Sequence, residues 1–250
     1  MLPPGVLITR PEPGCTETAE AVSAMGWMPV LAPALVLRPL PLRIQAGMRP
    51  QALVLPSRAA ARALAGTADP GWPVLAVGPG TAAEARRAGF TDVSEAEGDA
   101  ASLAVMVSGR LDPARGPLLL AVGRGYSTLL AQALRERGFT VQRRVTYLAQ
   151  PADALPDSAG EALRAGRVRA ALFLSPRSAS IAQTLLDRAG LIENLRDIEA
   201  LALSPRIAAV LAGMPWRGIR ATAKPDFQAL LALLGRAPVT GQRGAGAENE

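Results

Sequence analysis

Two stretches of this chain repeat each other. Ala52-Leu-Val-Leu-Pro-Ser-Arg-Ala-Ala60 returns as Ala171-Leu-Phe-Leu-Ser-Pro-Arg-Ser-Ala179. Each is a short apolar run that breaks at Pro, Ser and Arg and passes into an alanine-rich helical stretch. The segment that follows recurs too, with Val74-Leu-Ala-Val-Gly-Pro79 and its helix matching Leu201-Ala-Leu-Ser-Pro205 and its helix. A strand that ends in a polar turn and opens a helix leaves backbone N–H groups unpaired at the helix start, which makes a seat for an anion. Two copies facing one another predict a cleft lined from both sides with such seats.

Strand then helix is the pattern along the whole chain. Val6-Leu-Ile8 reads as a buried strand, and residues 16–25 as a helix stopped by Gly26. Residues 30–37 form a long extended stretch, interrupted by Pro33 and closed by Pro39 and Pro41. Strands follow at 53–55, 74–77, 93–95 and 118–122, with helices at about 58–66, 80–88, 100–110 and 127–137. A second long extended stretch, 141–148, ends before Pro151. Strands at 170–174, 199–203 and 219–222 then alternate with helices at about 156–165, 178–189, 206–212 and 226–234. Short apolar strands alternating with helices predict an α/β fold of parallel sheets covered on both faces.

The two long extended stretches organise the rest. Antiparallel pairing of 34–40 with 143–149 makes a two-stranded bridge, with 34–40 and 143–151 as bridging strands. Residues 1–33 then join 152–235 in a discontinuous domain around an inserted domain at 41–142, with five strands in each half. The alternative is that both stretches are ordinary strands of one larger sheet. Residues 236–250 carry no periodicity and are expected to be a disordered tail.

Absences narrow the chemistry. The chain has no histidine, one cysteine (Cys15) and one lysine (Lys224) among 250 residues. Ser-His-Asp and Cys-His catalysis, histidine metal sites and a lysine-bearing phosphate loop are therefore excluded. A single cysteine forms no intrachain disulfide, and Met1-Leu-Pro-Pro-Gly5 lacks the charged segment and apolar core of a signal peptide. No apolar run approaches the roughly 20 residues that span a bilayer. The expectation is a cytoplasmic protein with no membrane partner. The formal charge is +6, but the arginines are dispersed and aromatics make up only 4%. A nucleic-acid partner is not expected from so few stacking side chains. A few arginines near the cleft would instead attract a small polyanion.

An ordered set of sparse motifs resembles the uroporphyrinogen-III synthase family. These are Leu7-Ile-Thr-Arg-Pro11, Val77-Gly-Pro-Gly-Thr-Ala82, Glu97-Gly-Asp-Ala100, Val145-Thr-Tyr147, Leu174-Ser-Pro-Arg-Ser178, Leu201-Ala-Leu-Ser-Pro205 and Lys224-Pro-Asp226. The resemblance covers about residues 5–234. It implies two flavodoxin-like domains joined by a two-stranded antiparallel ladder, with the active site in the cleft. It also implies a reaction: hydroxymethylbilane is closed to uroporphyrinogen III with inversion of the last pyrrole ring and loss of water. No metal, nucleotide or other cofactor takes part. The resemblance further implies a monomer that makes transient contact with hydroxymethylbilane synthase. Two departures stand out. Leu55-Pro56-Ser57 replaces Phe-Thr-Ser, and Ser204-Pro205-Arg206-Ile207 replaces Gly-Pro-Thr-Thr, which transfers contacts on that side to Ser204 or Arg206.

By the same resemblance Tyr147 faces the cleft from the second bridging strand, where its phenol assists departure of the hydroxyl. A strand tyrosine packing at the domain junction is the other reading. Thr81, after Gly78-Pro79-Gly80, is expected to cap its helix and to contact a substrate carboxylate. Ser57, Ser175, Ser178 and Ser204 stand at equivalent turns and are read the same way. Arg10, Arg58 and Arg177 lie just past strand ends, as carboxylate partners or as solvated surface arginines. Two rival functions share parts of this pattern: a non-catalytic two-domain binder of a small anion, and a sugar-nucleotide glycosyltransferase. If the synthase reading holds, isomer ratio and rate survive exhaustive treatment with a metal chelator. Loss of activity restored by zinc or magnesium would overturn that expectation.

Overall fold

The computed structural model of the chain describes residues 3–44 and 47–238. The chain opens with β1 (Gly5–Ile8), α1 (Gly14–Ala24), β2 (Met28–Leu31), β3 (Leu35–Pro39), β4 (Ala52–Leu55) and α2 (Arg58–Ala63). Next come β5 (Val74–Ala76), α3 (Pro79–Arg87), β6 (Val93–Glu95), α4 (Ala100–Arg110), β7 (Leu118–Gly123), α5 (Leu129–Glu136) and β8 (Val141–Pro151). It continues through α6 (Asp157–Arg164), β9 (Val168–Phe173), α7 (Pro176–Arg188) and β10 (Glu199–Ala202). α8 (Pro205–Leu211), β11 (Gly218–Ala221) and α9 (Phe227–Leu234) complete it. None of the helices among the described residues is long and apolar enough to cross a membrane.

The chain divides into two compact units, one of residues up to 36 with 151 onward, the other of residues 37–150. In the first, a five-stranded sheet runs β2-β1-β9-β10-β11, and all its pairings are parallel. Counted in chain order this is 2-1-3-4-5, the flavodoxin order. In the second, a six-stranded sheet runs β3-β8-β7-β4-β5-β6, with parallel pairing from β8 to β6. Without β3, its spatial order is that of the first sheet entered at a different point. β4, β5 and β6 take the places of β9, β10 and β11, while β7 and β8 take those of β1 and β2. The sequence repeat is thus a repeat of position in the sheet.

Both sheets are buried on two faces, so their strands read as continuous apolar runs. All four residues of β1 and of β4, and all six of β7, are buried. Successive side chains supply opposite cores. In the first unit Leu7, Ala171 and Phe173 enter one cluster, while Val6, Ile8, Leu172 and Leu201 enter the other. Phe173 meets Trp216 edge to face, with ring centroids 5.5 Å apart. In the second unit Val54, Leu118 and Leu120 pack on the α4 and α5 side, and Leu53, Leu55 and Leu119 on the α2 and α3 side.

Three details differ from the sequence-based expectation. The extended stretch at 30–37 is two strands, because β2 pairs in the first sheet and β3 in the second, with Pro33 in the break. The second sheet has six strands rather than five, since β3 adds an edge. The antiparallel register also lies further along β8. Leu40 N–H donates to the Thr146 carbonyl at 2.7 Å and Ala152 N–H to the Ala34 carbonyl at 2.9 Å, so 34–40 runs against 146–152 rather than 143–149. These are backbone bonds, with no side-chain signature to announce them. The expected tail begins as ordered chain: Ala237 N–H donates to the Met25 carbonyl at 3.0 Å, and Trp27 Nε1 donates to the Gly235 carbonyl at 2.8 Å. From residue 239 onward that expectation lies outside the described residues.

Cys15 lies inside the first unit, fully buried beside Val6, Ile8 and Val22. Burial, with a smaller push from Glu12, raises its thiol to about 11. Thiolate is the reactive form. The native chain should therefore react negligibly with a disulfide reagent at neutral pH and release one equivalent only once denatured. Rapid reaction of the folded protein would contradict this burial.

Candidate active site

Four turns follow the carboxyl ends of β4, β5, β9 and β10, and in each a strand passes directly into a helix. Two are closed by their own serines. Ser57 accepts the Ala60 N–H at 3.2 Å and caps α2. Ser175 accepts the Ser178 N–H at 3.0 Å, capping α7, and donates to the Ser178 hydroxyl at 2.9 Å. Ser178 is buried, so its hydroxyl is held inside the turn.

The other two turns, Gly78-Pro79-Gly80 and Ser204-Pro205-Arg206, carry no side-chain cap on α3 or α8. The Thr81 and Ala82 N–H groups both turn back to the Gly78 carbonyl, at 3.1 and 3.0 Å, and those of Ile207 and Ala208 to the Ser204 carbonyl, at 3.1 and 3.2 Å. Proline at the first helical position has no N–H to offer. The N–H groups of Gly80 and Arg206 stand outside these bonds, at the positive end of each helix. Thr81 is therefore not the cap that the sequence suggests. Helix geometry begins at Pro79, which leaves Gly78 at the cap position and puts Thr81, 5% exposed, in the first turn. Gly78 sits in a tight approach, since a Cβ there would lie 3.0 Å from the Gly98 Cα.

The arginines differ from one another. Arg10 is half-buried, donates to Thr18 Oγ1 at 3.2 Å and lies 5.9 Å from the centre of the Phe227 ring. Its guanidinium occupies the space that a Cβ at Gly14 would need. Burial pulls its pKa below the usual arginine value, opposed by the nearby Cys15 and Glu12. The α1 start beside it is already filled by the chain itself: Glu12 Oε2 accepts the Thr16 N–H at 3.2 Å and Glu12 Oε1 the Thr16 hydroxyl at 2.9 Å. Arg58 runs along the first turn of α3, its Cδ 3.5 Å from where a Gly80 Cβ would stand. Arg177 is exposed at the start of α7.

Tyr147 owes its position to an irregularity. Val122 pairs with Val145 but Gly123 pairs with Tyr147, so β8 carries one extra residue, Thr146. Leu118, Leu120 and Val141 face the α4 and α5 side. Strict alternation along β8 would put Tyr147 on that same side. The bulge turns it over, and Tyr147 packs against the cluster that holds Leu53, Leu55 and Ala121 on the α2 side. There the Tyr147 hydroxyl stands 3.3 Å from Ser57 Oγ. Tyr147 lies on β8 and Ser57 just past the end of β4, two strand spacings or about 10 Å away, with β7 between. The phenol spans that gap because β7 has Gly123 at the crossing, where a Cβ would meet ring atoms at 2.5 and 2.6 Å. Thr146, fully buried, directs its hydroxyl at the Val122 carbonyl at 3.4 Å.

In the second unit the structure thus brings Ser57 to Tyr147 and Arg58 to the α3 turn. In the first it joins Ser175 to Ser178 and holds Arg10 against α1. Sequence reasoning missed Gly123, Thr146 and Tyr126. The Gly123-Arg-Gly125 pair after a buried strand was the available signal. Burial raises the Tyr126 phenol, with a further push from the nearby Tyr147. Gly123→Ala should cost roughly 1–3 kcal/mol through overpacking, measured by denaturant unfolding. In a Tyr147→Ala background the same substitution should cost much less. Simple additivity of the two losses would show that the ring does not rest on Gly123.

Residues 16–232 match the family model described as Uroporphyrinogen-III synthase HemD. No curated protein matches the chain significantly. Among solved structures, uroporphyrinogen-III synthetase from Helicobacter pylori is 16% identical, with 92% of this chain and 98% of that one aligned and a TM-score of 0.57. A mutant uroporphyrinogen III synthase from Thermus thermophilus is 22% identical over 92% of this chain and 96% of its own, with a TM-score of 0.46. The first likeness supports the fold, and the family model spans most of the sequence. The chain belongs to the uroporphyrinogen-III synthase family.

Proposed function

We propose that this chain closes hydroxymethylbilane to uroporphyrinogen III with inversion of the last pyrrole ring and loss of water, using Tyr147 as proton donor and no cofactor. Family membership makes it a lyase of tetrapyrrole biosynthesis. The observation that carries the assignment of Tyr147 is the bulge, which puts its phenol beside Ser57 at the carboxyl ends of the strands. In open parallel sheets that is the edge where ligands bind.

The substrate carries an acetate and a propionate on every pyrrole, and this chain offers matching seats. The uncapped start of α3, with the Gly78 turn, Thr81 and the adjacent Arg58, presents a helix N-terminus and a guanidinium to a carboxylate. Ser204 marks the uncapped counterpart after β10. Arg10, Ser175, Arg177 and Ser178 line the β1 and β9 exits, though the inward hydrogen bonds of Ser178 and Arg10 favour shaping the turns over gripping the ligand. Ser57 was expected to be a further carboxylate contact.

Tyr147 would give its proton to the hydroxymethyl oxygen as the C–O bond breaks, so that the oxygen leaves as water. The pyrrole nitrogen lone pair fills the vacated position and forms an azafulvenium cation. The substituted carbon of the last ring attacks it, giving a spiro intermediate whose fragmentation and reclosure invert that ring. The proton released on reclosure restores the phenol. Much of the catalysis is positioning, because unaided closure gives the uninverted isomer. Rapid handover of so reactive a bilane suits a cytoplasmic monomer in transient contact with hydroxymethylbilane synthase.

The test is to supply hydroxymethylbilane to the purified protein and separate type I from type III uroporphyrin after oxidation. An excess of type III supports the function, and type I at the uncatalysed rate would refute it. Tyr147→Phe should lower turnover by up to about 10²-fold, with uroporphyrinogen III binding nearly intact and the product largely type III. An unchanged rate would reduce Tyr147 to a packing residue. A switch to type I would make it a positioning residue.

A further inference from the structure

We infer that Ser57 acts through Tyr147 as its positioning residue and is not a carboxylate ligand, an inference that rests on the reading of Tyr147 as proton donor. A serine hydroxyl has one proton and two lone pairs. One lone pair of Ser57 takes the Ala60 N–H at 3.2 Å, and the Tyr147 oxygen lies 3.3 Å away. A substrate carboxylate only accepts, so once Ser57 donates to Tyr147 it has no proton left for such a ligand. With that proton given to the phenol oxygen, Tyr147 keeps its own proton for the departing hydroxyl. Hydrogen bonds then run in one direction, from Ala60 N–H to Ser57, to Tyr147, to the substrate oxygen, and each polarises the next.

The rest of the geometry agrees. Tyr147 reaches Ser57 by lying over Gly123, and the bulge at Thr146 turns it to that side. Those features set the ring plane and its face. The Ser57 contact fixes the remaining freedom, the position of the oxygen and the direction of its proton. Ser57 is itself half-buried and anchored by its capping bond. The pair is thus held from the end of β4 and from β8, with β7 between.

The test is a double-mutant cycle with hydroxymethylbilane as substrate. Ser57→Ala should lower kcat about tenfold, the worth of one hydrogen bond in the transition state, with KM nearly unchanged and type III retained. In a Tyr147→Phe background the same substitution should change kcat by less than about twofold. Ser57→Thr, which keeps the hydroxyl, should restore turnover. Ser57→Gly, tolerated at a helix cap, should repeat the loss and so separates it from weakened folding. An independent reading uses protein labelled with 13C at tyrosine Cζ, whose two resonances are assigned with Tyr126→Phe. Ser57→Ala should move the Tyr147 resonance in the absence of substrate. Additive losses, a raised KM with unchanged kcat, or an unmoved resonance would each overturn the role of Ser57. An unaltered chain that makes no excess of type III would instead overturn the synthase reading, while the resonance still reports whether Ser57 holds the phenol.

Discussion

The backbone ladder between β7 and β8 skips Thr146, and the arrangement around Tyr147 hangs on that skip. Parallel strands rarely carry bulges, because an extra residue leaves backbone groups to be satisfied elsewhere. Here the Thr146 carbonyl accepts from Leu40 on the β3 side and its hydroxyl reaches the Val122 carbonyl. Arg124 N–H then closes on the Tyr147 carbonyl at 3.0 Å, so the ladder resumes at once. A local defect in pairing has been converted into a half-turn of one side chain. That half-turn would be useless with a larger residue at Gly123, since the ring could not cross β7.

Helix starts give the two units their second theme. Where serine caps the helix, after β4 and β9, its side chain takes one of the helix-start N–H groups. After β5 and β10 no side chain does so, although Ser204-Pro205 repeats the Ser175-Pro176 dipeptide of the capped turn after β9. Because β4 and β9, and likewise β5 and β10, hold equivalent places in their sheets, closed and open turns alternate in the same way in both units. Glu12 makes a further closed turn after β1. An inventory of strand-to-helix turns therefore overstates the number of anion seats. Counting caps reduces them to those that a carboxylate can enter.

The α/β architecture was legible because the strands are buried on both faces and so stand out as short apolar runs. Residues 100–110 were legible as a helix from the alternating pattern, and the structure adds a capping box of Asp99 and Ser102 at its start. Tyr147 and Gly78 were named from sparse motifs, and Ser57 from its place in the repeated strand-to-helix turn. Their mutual geometry was not legible, since neither the β3–β8 register nor the bulge leaves a mark on hydropathy. Strict alternation along 141–148 would have turned Tyr147 to the other face. Thr81 was misread for a related reason. A hydroxyl two residues after proline resembles a cap only until the helix is seen to begin at the proline itself. Arg10 read equally well as surface charge, and only the missing Cβ of Gly14 shows why it folds inward.

β3 and β8 are neighbours at one edge of the second sheet, and they contain the two places where the chain passes between units. The 37–150 segment therefore begins and ends side by side. For its host, such a segment is a long loop whose ends are already closed by backbone hydrogen bonds, so its length adds little to the entropy of joining residues 36 and 151. Along the chain the strands other than β3 take the sheet places 1-2-3-4-5 and then 1-2-3-4-5 again, the order of two copies set end to end whose halves have exchanged partners. The differing entry points of the two sheets follow from that exchange, because the inner sheet joins the last three strands of one copy to the first two of the next.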